Sequence, residues 1–223
     1  MSLAGALLRR AVSPARLLRA LCTLDNLLYH AISVASVWYG DGLHAKHRLT
    51  RYHDFFVERV APGERVLDIG CGNGALAADI AGRCGAAVTG VDRDPAAVRA
   101  ARSRHGGTGL TFVEGDARMD PAGSFDVVIL SNVLEHLEGR VDFLRDTITR
   151  SGARRLLVRV PLFERDWRVP LKRELGVDFR LDPTHCIEYT VEEFEAEVAA
   201  AGLVIEERQV RWGEIWAACR PRG

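Results

Sequence analysis

The sequence predicts an α/β fold: a doubly wound, mostly parallel seven-stranded sheet with a C-terminal antiparallel hairpin and an N-terminal helical cap. Three observations predict it. Apolar runs alternate with helix-forming segments from about residue 65 onward, the pattern of successive βαβ units. Runs such as Val127-Val128-Ile129-Leu130 are apolar at every position, as strands buried on both faces require. The last two strand-like runs, 203–210 and 214–219, are joined only by Arg211-Trp212-Gly213. That link is too short for a crossover helix, so the two runs pair antiparallel.

Residues 1–60 read as a helical cap and 61–223 as the sheet domain. In the cap, Leu3, Leu7, Leu8, Val12, Leu17, Leu18, Leu21 and Leu24 fall near helical spacing, with Pro14 interrupting. Arg9, Arg10, Arg16 and Arg19 lie among them with no acid before Asp25. Arg19 and Asp25 argue against a transmembrane span. An appended helix is expected, with a peripheral membrane contact as the second reading. Residues 26–60 read as helix, a turn at Tyr39-Gly40-Asp41-Gly42, and helix again over 44–60, ended by Pro62-Gly63.

Strands then follow at 65–70, 86–91, 110–114, 125–130 and 154–160, and helices at 74–83, 95–104 and 140–150. The segment 161–183 is irregular, rich in aromatics and cations, and sits where ligands bind in open α/β sheets. Thr190 and Glu193 have capping-box spacing and open a helix that closes near Gly202.

Composition narrows the function. Lysine plus arginine equals aspartate plus glutamate at 30 each, so no general basicity argues for nucleic acid. Five scattered cysteines without a CxxC pair point to a reducing, cytoplasmic compartment and against structural zinc. His44 and His47 lie one helical turn apart but lack a carboxylate partner, so no metal is expected.

The most informative run is Val66-Leu67-Asp68-Ile69-Gly70-Cys71-Gly72-Asn73-Gly74-Ala75. It reads as a buried strand, a tight glycine turn and a helix start, a place where a ligand can approach closer than a Cβ permits. Gly70-x-Gly72-x-x-Ala75 also fits the dinucleotide fingerprint. Asp68 speaks against a diphosphate there and suits a cationic ligand. Asp92 ends the next apolar run about twenty residues on, where a carboxylate accepts bonds from two vicinal hydroxyls. Asp94-Pro95 opens a helix just after it, so Asp94 is the expected cap.

The D-x-G-x-G-x-G run resembles the first motif of the class I S-adenosylmethionine-dependent methyltransferases. The segments around Asp92, around Leu110–Ala117 in sequence and around 125–137 resemble the family's next three strands in order and spacing. Together they cover roughly residues 55–220. The resemblance implies S-adenosylmethionine as cofactor, held by Asp68, Gly70, Cys71, Gly72 and Gly74, by Asp92 and Arg93, by Asp116 and Ala117, and by Ser131. Residues ahead of the first motif (Tyr39, His47 and Tyr52) are further candidates.

Methyl transfer to a hydroxyl or amine needs a proton acceptor, and His136 and His185 stand where the resemblance places one. His185 is expected to meet the substrate and His136 to form the site floor. A small-molecule or glycan-like acceptor, methylated on oxygen, is the expected substrate. The rival readings are an NAD-dependent oxidoreductase on a similar sheet and a non-catalytic partner protein.

Overall fold

The computed structural model describes residues 13–40, 44–116, 118 and 123–223. Its helices are α1 (Pro14–Tyr39), α2 (Ala45–Thr50), α3 (Tyr52–Val57), α4 (Ala75–Cys84), α5 (Pro95–Arg104), α6 (Arg140–Ser151), α7 (Arg168–Glu174) and α8 (Val191–Ala200). Its strands are β1 (Arg65–Ile69), β2 (Ala87–Asp92), β3 (Leu110–Glu114), β4 (Val127–Ser131), β5 (Arg155–Pro161), β6 (Leu203–Arg211) and β7 (Glu214–Pro221). The described chain divides into two compact units: the residues up to Thr50 with Phe163–Pro183, and Arg51–Leu162 with Thr184–Gly223.

In the first unit, Pro14 stands at the first position of α1. Its missing N–H is no loss in a first turn, where that donor has no intrahelical partner. By length and composition α1 could cross a membrane, and among its residues only Cys22 is buried. Its two charged breaks are engaged within the unit. Arg19 Nε donates to the Leu175 carbonyl at 2.8 Å, and Asp25 accepts from Arg168 at 2.7 Å and from Lys172 at 2.6 Å. Lys172, 8 % exposed, also reaches Asn26 Oδ1 at 2.7 Å. The segment expected to be irregular thus contains α7, whose Pro170 sits in the first turn, where proline is tolerated. Trp167, one of its aromatics, is 74 % exposed. The helix expected over 44–60 breaks at Arg51, which adopts a left-handed φ of 48°.

The second unit is built on one seven-stranded sheet in the order β3-β2-β1-β4-β5-β7-β6. The first five strands are parallel, and β7 runs antiparallel to both β5 and β6. Alternate residues serve opposite faces, because successive Cβ atoms point to opposite sides of a strand. Leu67 and Ile69 of β1 and Val128 and Leu130 of β4 pack with Phe143 and Leu144 of α6 and Phe194 and Val198 of α8. Val66, Val127 and Ile129 pack with Phe55 and Phe56 of α3, Ile80 of α4 and Val98 of α5. Helices on both faces make the sheet doubly wound, as its sequence predicts.

Gly74 shows how tightly the start of α4 is packed. It caps the helix at φ 77°, and a Cβ there would lie 2.5 Å from Phe112 Cζ and 2.9 Å from Ala101 Cβ. Gly74→Ala combines left-handed strain with overpacking and should cost about 2–4 kcal/mol, read as a lower urea midpoint with an unchanged slope.

Asp68 is the one acid on β1, 2 % exposed, with Oδ2 lacking a hydrogen-bond partner. Burial, with the charge of Asp92 second, pushes its carboxyl up to about 7. A carboxyl that holds its proton more tightly in the folded than in the unfolded chain loses stability as pH rises between those two values. Asp68→Asn should therefore match the parent at about pH 5 and exceed it by on the order of 2–4 kcal/mol at about pH 9. Urea unfolding at the two pH values checks this; an equal gap at both would contradict it.

Candidate active site

The glycine turn is tied to the neighbouring strand by backbone and by one side chain. The N–H groups of Gly70 and Cys71 both donate to the Val91 carbonyl, at 2.8 and 3.1 Å. The Asp92 carboxylate accepts from Gly72 N at 2.8 Å through Oδ2 and from Asp94 N at 2.9 Å through Oδ1. Asp94 in turn accepts from Ala96 N at 2.9 Å and caps α5. The two acids divide the work as their sequence context predicts: Asp94 caps the helix and Asp92 is left at the strand end. Gly70 has φ 71°, and a Cβ on it would stand 2.7 Å from Val133 Cγ2, so the turn and the loop after β4 pack backbone to side chain. Cys71 is buried beneath them, and burial, with Asp68 and Asp92 adding to it, holds its thiol far above the usual range.

Beyond β4 the chain turns at Asn132, a non-glycine residue with φ 59°. Its Oδ1 accepts from Arg159 Nε at 2.7 Å, and its N–H donates to the Arg159 carbonyl at 2.8 Å. Arg159 is itself buried, 3.9 Å over the Tyr52 ring and 3.3 Å from Glu214, whose Oε2 also accepts from Trp216 Nε1. A 3₁₀ turn, Leu134–His136, follows, and the Glu135 carbonyl accepts from Cys186 N at 2.7 Å. That bond docks the 184–188 segment against the post-β4 loop.

A cleft of about 590 Å³ opens along this edge, a size suited to one cofactor-sized ligand. Of the residues expected at the cofactor or the chemistry, Gly70, Asp92, Arg93, Asp116 and His136 line it. Asp68, Cys71, Gly72 and Gly74 lie behind or within the turn and shape it instead. Ser131 is not among the lining residues; its neighbours Asn132 and Val133 are. Ala117 lies outside the described residues. Asp116 is held in a local turn, accepting from Arg118 N at 2.9 Å, while the Arg118 guanidinium reaches the Glu138 carbonyl at 2.8 Å. Asn132, Arg118 and Glu138 were not predicted for the site. Only an asparagine able to take positive φ hinted at the first.

The two histidines come together, and of the pair His136 lines the cleft. His136 is half-buried in the cleft wall, whereas His185 is 6 % exposed and does not line the cleft. Their rings meet edge to face at 4.6 Å. His136 Nδ1 lies 2.8 Å from Thr184 Oγ1, and His185 Nδ1 lies 2.8 Å from Glu188 Oε1. Beside them Glu135 is fully buried and, among the described residues, neither carboxylate oxygen has a partner within 3.5 Å. Burial pushes that carboxyl up to about 7.

Comparison with known proteins agrees with this geometry. Residues 66–150 match the model of the methyltransferase domain family. A relative named ribosomal protein L11 methyltransferase, from Burkholderia thailandensis, is 44 % identical over 101 residues, covering 44 % of this chain and 33 % of the relative. The match thus spans about a third of the length of that curated relative.

Among solved structures, magnesium protoporphyrin IX methyltransferase from Synechocystis PCC 6803, solved with bound SAH, superposes with a TM-score of 0.62 at 20 % identity, covering 77 % of this chain and 82 % of its own. An S-adenosylmethionine-dependent methyltransferase from Mesorhizobium loti gives a TM-score of 0.58 at 18 % identity, covering 81 % and 99 %.

One expectation is corrected by these findings. A small-molecule or glycan-like acceptor is not what the sequence relatives indicate, since they are named for a ribosomal protein as acceptor. The expectation rested on the compact cap and the lack of a nucleic-acid module, neither of which is a motif specific to a methyl acceptor. The antiparallel β5-β7-β6 edge, the glycine turn and the acid at the end of β2 give the chain the fold of the methyltransferases it superposes on, and residues 66–150 resemble the methyltransferase domain family.

Proposed function

We propose that the protein transfers a methyl group from S-adenosylmethionine, held in the cleft at the C-terminal edge of β1, β2 and β4, to a protein acceptor. The observation that carries the first half is the Asp92 carboxylate. It lines the cleft while each of its oxygens accepts only one backbone N–H, which leaves lone pairs for the vicinal hydroxyls of a ribose. Asp116 lines the same cleft and is the second acceptor, which this reading assigns to the adenine. Asp68, whose buried Oδ2 has no hydrogen-bond partner among the described residues, sits beneath the turn, and its ionised form favours a cationic ligand and opposes a diphosphate. The residues present therefore fit the cofactor and do not fit a dinucleotide.

The cofactor supplies an electrophilic methyl on a positively charged sulfur, whose departure leaves a neutral thioether. The chain's own task is to position the acceptor and take its proton. His136, in the cleft wall beside His185, is the group assigned to the acceptor side. A protein acceptor is favoured by the ribosomal-protein acceptor named for the sequence relatives, which share with this chain about a third of their own length.

Methyl-labelled cofactor incubated with the protein and a purified ribosomal-protein fraction should leave label in a protein band. Cofactor binding without any labelled protein would reject the acceptor class and leave the cofactor site standing. Asp92→Ala should raise the cofactor Kd at least about 30-fold, the equivalent of roughly 2 kcal/mol of lost charge-assisted bonding. Asp92→Asn, which retains one acceptor oxygen, should fall between. Unchanged affinity in both variants would show that the ribose is held elsewhere.

A further inference from the structure

We infer that Glu135, His136 and His185 form a binding site for a divalent first-row transition-metal ion at the edge of the methyl-transfer cleft. Each residue offers one ligand atom, and the three atoms lie within 4.8 Å of one another. The donor set is chemically apt: two imidazoles and a carboxylate suit zinc, cobalt or manganese better than magnesium, which prefers oxygen.

Two features of the surroundings separate this group from a chance cluster. The first is the carboxylate itself. Glu135 is fully buried, and among the described residues neither oxygen has a partner within 3.5 Å, although the Asn132 side chain lies near enough to favour its charged form. Buried polar groups are ordinarily satisfied, and a lone buried carboxylate is costly unless it is paired or coordinates a cation. A cation among the three ligand atoms supplies the missing partner.

The second feature is the outer layer. Glu188 Oε1 lies 2.8 Å from His185 Nδ1, and Glu188 is itself buried. Thr184 Oγ1 lies 2.8 Å from His136 Nδ1. Oxygen partners at a ring nitrogen orient the imidazole, the usual support of metal-bound histidine. His136 and Thr184 also line the cleft, so the group borders the space where an acceptor must lie. Among the described residues three ligands converge, the number that catalytic sites combine with water or substrate. An ion there would polarise an acceptor heteroatom and ease loss of its proton.

Sequence spacing could not have shown this. Glu135 and His136 are adjacent after β4, while His185 arrives from a segment nearly fifty residues later, through the bond from Cys186 N to the Glu135 carbonyl.

The use of the ion rests on the proposed methyl transfer, but its binding does not, so the test is made without cofactor. Full-length protein stripped with chelator is titrated with Co²⁺, followed by its visible d–d absorption, and then with Zn²⁺ in competition. One Co²⁺ per chain should bind, Zn²⁺ should displace it, and Mg²⁺ in excess should not. Glu188→Gln should weaken Co²⁺ binding about 10–100-fold. Glu135→Gln, nearly isosteric and checked for an unchanged far-UV spectrum, should weaken it more than Glu188→Gln does.

No Co²⁺ or Zn²⁺ binding by the parent chain, or binding that Glu135→Gln and His185→Gln leave unchanged, would overturn the site. Failure of S-adenosylmethionine to bind in a separate titration would sink the proposed function without touching this result.

Discussion

A single carboxylate organises the candidate site. Asp92 receives the N–H of Gly72 on one oxygen and that of Asp94 on the other, so one side chain joins the glycine turn after β1 to the start of α5. Without that acceptor the Gly72 N–H would lose its partner, and the two bonds to the Val91 carbonyl would be left to tie the turn to β2. The acid that presents itself to a ligand is thus also the acid that sets the shape of the ligand's seat. Binding and preorganisation are coupled through it, so removing it is expected to cost more than the contacts it makes directly.

The opposite wall depends on a different kind of device. Arg159, on β5, is buried against the Tyr52 ring and beside Glu214, and it holds Asn132 in a conformation asparagine tolerates better than most residues. That turn directs the chain into the 3₁₀ segment carrying Glu135 and His136. The charges of Arg159 and Glu214 offset one another inside the sheet, where either alone would be costly. In contrast, Asp68 and Glu135 are buried acids whose carboxyls stay near neutral pH. One lies under the proposed cofactor and the other beside the proposed acceptor.

Much of this was legible in the sequence, for local reasons. Continuous apolar runs, a capping box at Thr190 and Glu193, and a three-residue link before Glu214 are short-range signals. The structure realises each: the capping box is complete, and β6 and β7 pair antiparallel. The helix over Pro95–Arg104 and the strand over Leu110–Glu114 have the predicted limits. Asp94 and Asp92 could be told apart because proline marks the helix start. What failed to show depends on contacts between distant segments. Lys172 is buried because Asp25 and Asn26 reach it from α1, and α7 forms within a stretch whose composition suggests a loop. Arg51 interrupts a helical pattern through one left-handed residue that no composition rule marks. The acceptor side was misread for a related reason: the cofactor is recognised by a compact motif, the acceptor by whatever surfaces converge on the cleft.

The central claim is that this cleft takes a sulfonium nucleoside rather than a dinucleotide. Calorimetric titration of the full-length protein with S-adenosylmethionine, and separately with NAD, tests it most directly. The account predicts one saturable site for the first ligand and no heat of binding for the second. Saturable NAD binding in a protein that ignores S-adenosylmethionine would contradict it.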